Sequence, residues 1–333
     1  MQPPRRSAVV DALVEIQWQK KKYRFAAEVK PLSTPKSLDL AVFQIRRASE
    51  QRGLYPLVVT TFLSEENLRR FEREGISGLD LCGNGVLVVP GELLVWRSGQ
   101  ANRYPRGTTI RNVYRGRSSI VARAFLATPH YDSVQELLDT IRARGGEVTL
   151  GTVSKVCSIL AEDLIIERQE RGRTTTLTLL QPAKLLEALA ANFQPPTVGR
   201  RFLGTCSLRT QSLVEVLASW QTDRGGRIVR TGTASTEYYA TMAREPVARF
   251  YCTQLATLLD VLGSHATETT RFPNLELLEV TDPTVYFDVR NHFVASPIQC
   301  FLELQAGDKR DQDTAEQVRR LILRGMDDRG FGS

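Results

Sequence analysis

Residues 133–180, SVQELLDTIRARGGEVTLGTVSKVCSILAEDLIIERQERGRTTTLTLL, contain the pattern on which the predicted fold depends. Ser133 followed by Glu136 forms a capping box at the start of a helix, and Gly145-Gly146 ends that helix. Residues 165–180 predict a hairpin, two strands joined by a polar tip. Between them a second helix begins near Thr149, because apolar residues recur at the spacing of one buried stripe: Val153, Val156, Cys157, Leu160 and Leu164.

Two helices followed by a hairpin match a winged helix-turn-helix, whose second helix lies in the DNA major groove. A helix over 118–127 would be the first helix of that domain. Opposite the buried stripe, the second helix carries small or hydrogen-bonding residues that we expect to face DNA: Thr149, Gly151, Thr152, Ser154, Lys155 and Ser158. Lys155 would contact phosphate or guanine.

Three cations at the wing tip are expected to contact the DNA backbone: Arg168, Arg171 and Arg173. The alternative is a helical hairpin with a β-ribbon that serves protein contacts only, since a fold does not determine its function.

The positive charge of the chain is unevenly distributed. The net charge is +7, and residues 1–117 hold 20 Lys and Arg against 11 Asp and Glu. No acid occurs in residues 93–131, a segment that includes Arg111, Arg115 and Arg117. Such a segment beside a winged helix can neutralise phosphates, and arginine can enter a narrow minor groove. A solvated interdomain linker is the alternative interpretation.

Composition predicts an ordinary globular protein of two or three domains, because 333 residues can form several cores. The five cysteines are scattered without a C-x-x-C pair, which favours a reducing compartment and argues against a structural zinc site. No apolar run approaches membrane-spanning length, and the first residues lead into no signal-peptide core. We therefore expect a cytoplasmic protein with no membrane partner.

The first hundred residues predict an α/β domain, because strands alternate with covering helices. Two strands over 9–18 and 23–30 are expected to be joined by a Lys-rich turn at 20–22. Glu28-Val29-Lys30 at a strand end, with Asp11 or Glu15 on the preceding strand, is the arrangement of PD-(D/E)xK nucleases, in which acids hold a divalent metal.

That nuclease pattern is weak, since E-x-K is common and no Pro-Asp dipeptide precedes it. We favour a non-cutting version of the fold and keep a Mg²⁺-dependent nuclease as the alternative, with Gln44 near its site. Otherwise no catalytic residue, metal ligand or cofactor is expected.

The predicted fold class is α/β and α+β multidomain. The predicted domains are a nuclease-like α/β domain at 1–100, a basic linker at 101–117, a winged helix-turn-helix at 118–194, and a mixed α/β regulatory or partner-binding domain at 197–333. In the last domain we expect a strand at 285–289, a helix opening at 233–242 and a loose tail from Gly325. Gly232-Thr233 could begin a nucleotidyltransferase turn, but no acidic pair follows, so catalysis there is not supported.

Five short stretches resemble the AbiEi-like antitoxin regulators of type IV toxin–antitoxin systems. They are residues 55–59 (YPLVV), 78–84 (GLDLCGN), 150–156 (LGTVSKV), 230–234 (RTGTA) and 295–299 (ASPIQ). The resemblance implies a cytoplasmic bacterial repressor that binds inverted repeats, with a nucleotidyltransferase-like toxin as partner. The Lys-rich first hairpin and the acid-rich residues 308–313 depart from the family pattern, which weakens the toxin pairing more than the DNA binding.

The main hypothesis is a sequence-specific transcriptional regulator that binds double-stranded DNA. Symmetric operators would favour a homodimer, although the sequence contains no clear dimerisation helix. A metal-dependent nuclease targeted by its winged helix is the second hypothesis, and a protein-interaction scaffold is the third.

Overall fold

The computed structural model describes residues 10–104, 112–171, 174–241 and 247–326. These residues divide into two compact units. The first contains the described residues up to 104 together with Glu162–Leu164, and the second contains residues 112–161 and those from 165 onward. The described residues form a mixed α/β protein with three sheets, which confirms the predicted combination of helices and strands.

The first unit is a six-stranded sheet in the order β1-β2-β3-β4-β5-β6. Strands β2, β3 and β4 are parallel, and the other neighbours are antiparallel. The elements are β1 (Ala12–Trp18), β2 (Lys21–Lys30), α1 (Pro35–Arg52), β3 (Tyr55–Thr60), α2 (Glu65–Arg73), β4 (Ser77–Asp80), β5 (Gly85–Val89) and β6 (Leu93–Arg97).

Local signals determine the helix ends of this unit. The Ser64 side chain accepts a hydrogen bond from the Asn67 amide and caps α2, and Gly53 ends α1 in the left-handed conformation with φ of 63°. The predicted turn at 20–22 is wrong by one position, because Gln19 and Lys20 have positive φ while Lys21 already belongs to β2.

The second unit begins with helices and a small antiparallel sheet in the order β7-β9-β8. The elements are α3 (Ser119–Ala127), β7 (His130–Tyr131), α4 (Val134–Ala143), α5 (Leu150–Glu162), β8 (Ile166–Arg171), β9 (Thr174–Leu179) and α6 (Pro182–Ala191). The two predicted helices and the hairpin are thus confirmed as elements. Arg168, which was predicted at the wing tip, instead lies inside β8, where it pairs in register with Leu177. Leu164 is an exception to the predicted stripe: it follows the end of α5 with φ of 56° and is only partly buried.

The rest of this unit is built around a five-stranded sheet in the order β11-β12-β14-β10-β13. Helices α7 and α8 contribute buried residues to the core beside this sheet. The elements are β10 (Val198–Cys206), α7 (Thr210–Arg224), β11 (Ile228–Arg230), β12 (Ala248–Cys252), α8 (Leu255–Leu262), β13 (Ala266–Glu268), β14 (Leu275–Val280), α9 (Pro297–Gln305) and α10 (Lys309–Met326). Ser296 caps α9 as its position before Pro297 predicts.

Three predictions for this region are wrong. The expected strand at 285–289 is replaced by a 3₁₀ turn, Pro283–Tyr286, because the Asp282 side chain accepts from the Thr284 amide and caps it. The helix expected from Thr233 is a short 3₁₀ helix, Thr233–Tyr238, and Met242 lies outside the described residues. The tail expected from Gly325 is still helical there, since α10 continues to Met326.

Across the described ranges, every helix is either too short or too polar to cross a lipid bilayer.

The turn between α4 and α5 depends on Gly146 lacking a side chain. A Cβ at this position would lie 2.5 Å from Cγ2 of Ile141 and 3.0 Å from Cγ2 of Ile120, both in the core. We therefore expect Gly146→Ala to lower the free energy of unfolding by about 1–3 kcal/mol in urea titrations, through overpacking. Gly151→Ala is the matched control, because its Cβ would meet nothing within 4 Å. An equal loss of stability in both variants would contradict this account of the turn.

Candidate nucleic-acid interface

The side of α5 opposite its buried stripe is open to solvent. Val153, Val156, Cys157 and Leu160 are fully buried. On the other side Thr149, Gly151, Lys155 and Ser158 are exposed, and Thr152 and Ser154 are partly exposed. We call these six residues the α5 outer face. All six residues predicted to face a ligand on this helix are therefore accessible.

Several hydroxyl groups of the outer face already have partners within the protein. Thr149 Oγ1 accepts from the Thr152 amide at 3.2 Å, which caps the N-terminus of α5. Ser158 Oγ donates to the Ser154 carbonyl at 3.0 Å. These contacts leave Lys155 as the exposed cation of the outer face, with no ion pair among the described residues. The hydroxyls shape this surface, and Lys155 supplies its charge.

The hairpin adds a second cation to the α5 outer face. Arg168 on β8 donates through Nη1 to Ser158 Oγ at 3.2 Å, and its Nη2 lies 3.1 Å from Glu170 Oε1. Its guanidinium is held beside the helix, although Glu170 offsets part of its charge. Arg168 and Ser158 are ten positions apart and lie on different elements, so no local sequence pattern predicts this contact.

The other arginines predicted to bind DNA are not assembled at this surface by any observed contact. Arg115 and Arg117 are exposed beside the 3₁₀ turn Gly116–Ser118, where Arg115 donates to Gln194 Oε1. Arg111, Arg173 and the side chain of Arg171 lie outside the described residues.

The residues of the nuclease pattern occupy two different places in the first unit. Lys30 Nζ lies 2.6 Å from Glu28 Oε1 and 2.9 Å from Gln44 Oε1, so three of the expected groups meet at the end of β2. Asp11 Oδ2 accepts from the Val29 amide at 2.8 Å, next to this cluster.

Glu15 is separate, because it pairs in register with Arg24, four residues before Glu28 on β2. Its carboxylate binds Lys22 at 2.7 Å and Arg24 at 3.2 Å, and the hydrogen bond from Lys22 lowers its pKa. Of the two alternatives for the acid on the first strand, the geometry favours Asp11.

The carboxylates near Lys30 do not fit a metal centre. One oxygen of Glu28 is engaged by the Lys30 ammonium, and one oxygen of Asp11 is engaged by a backbone amide. Among the described residues no group of three or more His, Cys, Asp or Glu side chains is arranged to hold an ion. The cluster is an ion pair between Lys30 and Glu28, supported by the side-chain amide oxygen of Gln44.

A partly buried chain of polar side chains in the second unit was not foreseen from the sequence. Arg123 Nη1 donates to Gln299 Oε1 at 2.7 Å, and Gln299 Nε2 donates to Glu303 Oε1 at 2.8 Å. Glu303 Oε2 then accepts from the amides of Gly232 at 2.7 Å and Thr233 at 3.4 Å. No local sequence signal links these residues, which lie on three distant elements.

The same polar chain engages the Gly232-Thr233 turn. Its two amides, which could bind a phosphate, are occupied by the Glu303 carboxylate. Gly232 packs closely against α9, since a Cβ on Gly232 would lie 2.8 Å from the Gln299 carbonyl oxygen.

Comparison with family models, with curated proteins and with solved structures found no match to this chain.

Burial raises the pKa of the Glu303 carboxyl above its ordinary value of 4.5. The folded protein therefore keeps a proton that the unfolded chain releases, so this group's contribution to stability is greatest at low pH. That contribution is lost as the pH rises from 4.5 through the folded pKa. We expect Glu303→Gln to flatten the decline in unfolding free energy over this range, measured by urea titration at several pH values. Glu268→Gln, at an exposed glutamate on β13 of the same unit, should keep the parent slope. A parent-like slope in Glu303→Gln would contradict the assignment.

Proposed function

We propose that α3 to β9 form a winged helix and that the protein is a sequence-specific DNA-binding transcriptional regulator. The observation that carries the proposal is the accessibility of the α5 outer face, directly opposite a fully buried stripe. The element order, with α4 and α5 followed by the β8-β9 hairpin, supports the same function.

The dimensions and side chains of α5 suit a major groove. Its 13 residues extend over about 20 Å, and its outer face has no bulky group except Lys155 to prevent close approach of the backbone. Lys155 would contact a phosphate or a guanine, and Arg168 would contact the phosphate backbone beside it. Because few long side chains reach towards bases, specificity would depend in part on DNA shape and deformability.

The antitoxin-like role is a further part of this proposal, and it depends on the resemblance of five short stretches. It would make the protein a cytoplasmic repressor of its own operon, acting on symmetric sites as a homodimer. A nucleotidyltransferase-like toxin would be its protein partner.

Lys155 provides the sharpest test of the DNA interface. In gel-shift titrations with the DNA upstream of its own gene, Lys155→Ala should weaken binding and reduce the salt dependence of log K by about 1. Arg168→Ala should have a similar effect, because both cations would neutralise phosphates. Lys184→Ala is the control, since Lys184 is an exposed lysine on α6 of the same unit. The proposal fails if Lys155→Ala and Lys184→Ala bind with the same affinity and salt slope as the parent.

The second candidate is a nuclease at the cluster of Glu28, Lys30 and Gln44. The meeting of these three side chains at the end of β2 favours it, whereas the engaged carboxylates count against metal binding. We expect supercoiled plasmid to remain intact during incubation with the full-length protein and Mg²⁺ or Mn²⁺. Nicking that disappears in Lys30→Ala but persists in Lys36→Ala would establish the nuclease instead.

A further inference from the structure

Arg123 is a buried cation without a buried counter-charge in contact. Its side chain lies on α3, all of whose residues are buried, and the residue is 3% exposed. Its two hydrogen bonds come from Nη1 and go to neutral oxygens, the Thr284 carbonyl at 3.1 Å and Gln299 Oε1 at 2.7 Å. Among the described residues no carboxylate forms an ion pair with it. Burial lowers its pKa to about 10, which reflects the cost of holding the charge there.

One donor of the Arg123 guanidinium is left unsatisfied by the described residues. Arg123 Nε is buried and has no hydrogen-bond partner among the described residues. A buried donor without a partner costs about 1–3 kcal/mol, and more when it carries charge. The structure therefore contains an unsatisfied cationic donor that an anion would satisfy.

A pocket of about 300 Å³ adjoins Arg123 within the second unit. Its lining includes a second cation, Arg115, and the hydroxyl groups of Ser119, Thr197 and Thr281. Asp282 is the acid of this lining, and its Oδ1 already accepts from the Thr284 amide at 2.9 Å. The formal charge of the described lining is thus +1. The Ser119 hydroxyl already donates to the Gly116 carbonyl at 2.7 Å, so it is not a free donor of this pocket.

We infer that this pocket binds a small molecule through an oxyanion group, with Arg123 at its buried end and Arg115 at its entrance. The planar guanidinium matches the oxygen geometry of carboxylate and phosphate. The volume lies at the lower end of the range for small-molecule sites, so the ligand is small. None of the pocket's residues belongs to the α5 outer face, and Arg115 is the one lining residue that is also among the arginines predicted to contact DNA.

Isothermal titration of the full-length protein with inorganic phosphate, and separately with malonate, at constant ionic strength in a chloride buffer tests the site. We expect saturable binding of one equivalent by at least one of the two anions, and the stronger ligand identifies the oxyanion as phosphate or carboxylate. Arg123→Met should abolish this binding. If neither anion binds saturably up to the low millimolar range, the inference is wrong.

A matched pair keeps the test decisive should Arg123→Met fail to fold. Arg115→Gln removes a cation of the pocket, whereas Arg117→Gln removes an exposed cation two residues away that does not line it. Loss of one charge-assisted contact should weaken anion binding about tenfold in Arg115→Gln and leave Arg117→Gln unchanged. Equal affinities in these two variants would overturn the inference.

Discussion

The second unit depends on the placement of one buried guanidinium. Arg123 lies in a helix without an exposed residue, and its contacts with the Thr284 carbonyl and Gln299 attach α3 to the 3₁₀ turn before α9 and to α9 itself. A charge in such a place must find hydrogen-bond partners, because an unsatisfied one would cost several kcal/mol. The polar chain through Gln299 to Glu303 therefore restricts which surfaces of α3 and α9 can meet. Further contacts join the same parts of this compact unit, since Arg144 pairs with Asp288 and Arg227 donates to the Gly145 carbonyl.

Sequence patterns predicted the elements whose ends are determined locally. Ser64, Ser133 and Ser296 each cap a helix at the expected position, since their side chains bond amides only three residues away. The strand predicted at 285–289 is absent because contacts outside that stretch determine its conformation. The local sequence at 285–289 (VYFDV) indicated a strand, but the Asp282 cap shapes a 3₁₀ turn whose Thr284 carbonyl is the acceptor for Arg123, 161 residues away. A local pattern contains no information about a distant donor.

The candidate sites divide in the same way. The α5 outer face was predictable because helical periodicity alone separates it from the buried stripe. The choice between Asp11 and Glu15 was not, because it depends on the register of β1 against β2, which pairs Glu15 with Arg24. Arg168 joins the outer face through its hydrogen bond to Ser158 on another element, and the Glu303 contact with Gly232 joins residues 71 positions apart. Residues assembled by tertiary contacts cannot be recognised from spacing.

The charge of the α5 outer face limits how a DNA complex could form. Under the proposed function, Lys155 and Arg168 would supply about two phosphate contacts, whereas six to ten are typical of proteins with a steep salt dependence. Glu170, which is paired with Arg168, lowers the local potential further. One copy of this surface would therefore bind duplex DNA weakly. Two copies on a symmetric site would double the number of contacts, and the arginines of residues 93–117 are the largest remaining source of positive charge without intervening acids. If the protein recognises DNA specifically, its affinity must come from a second copy of the α5 outer face or from the arginines of residues 93–117, because α5 and Arg168 alone carry too few cations.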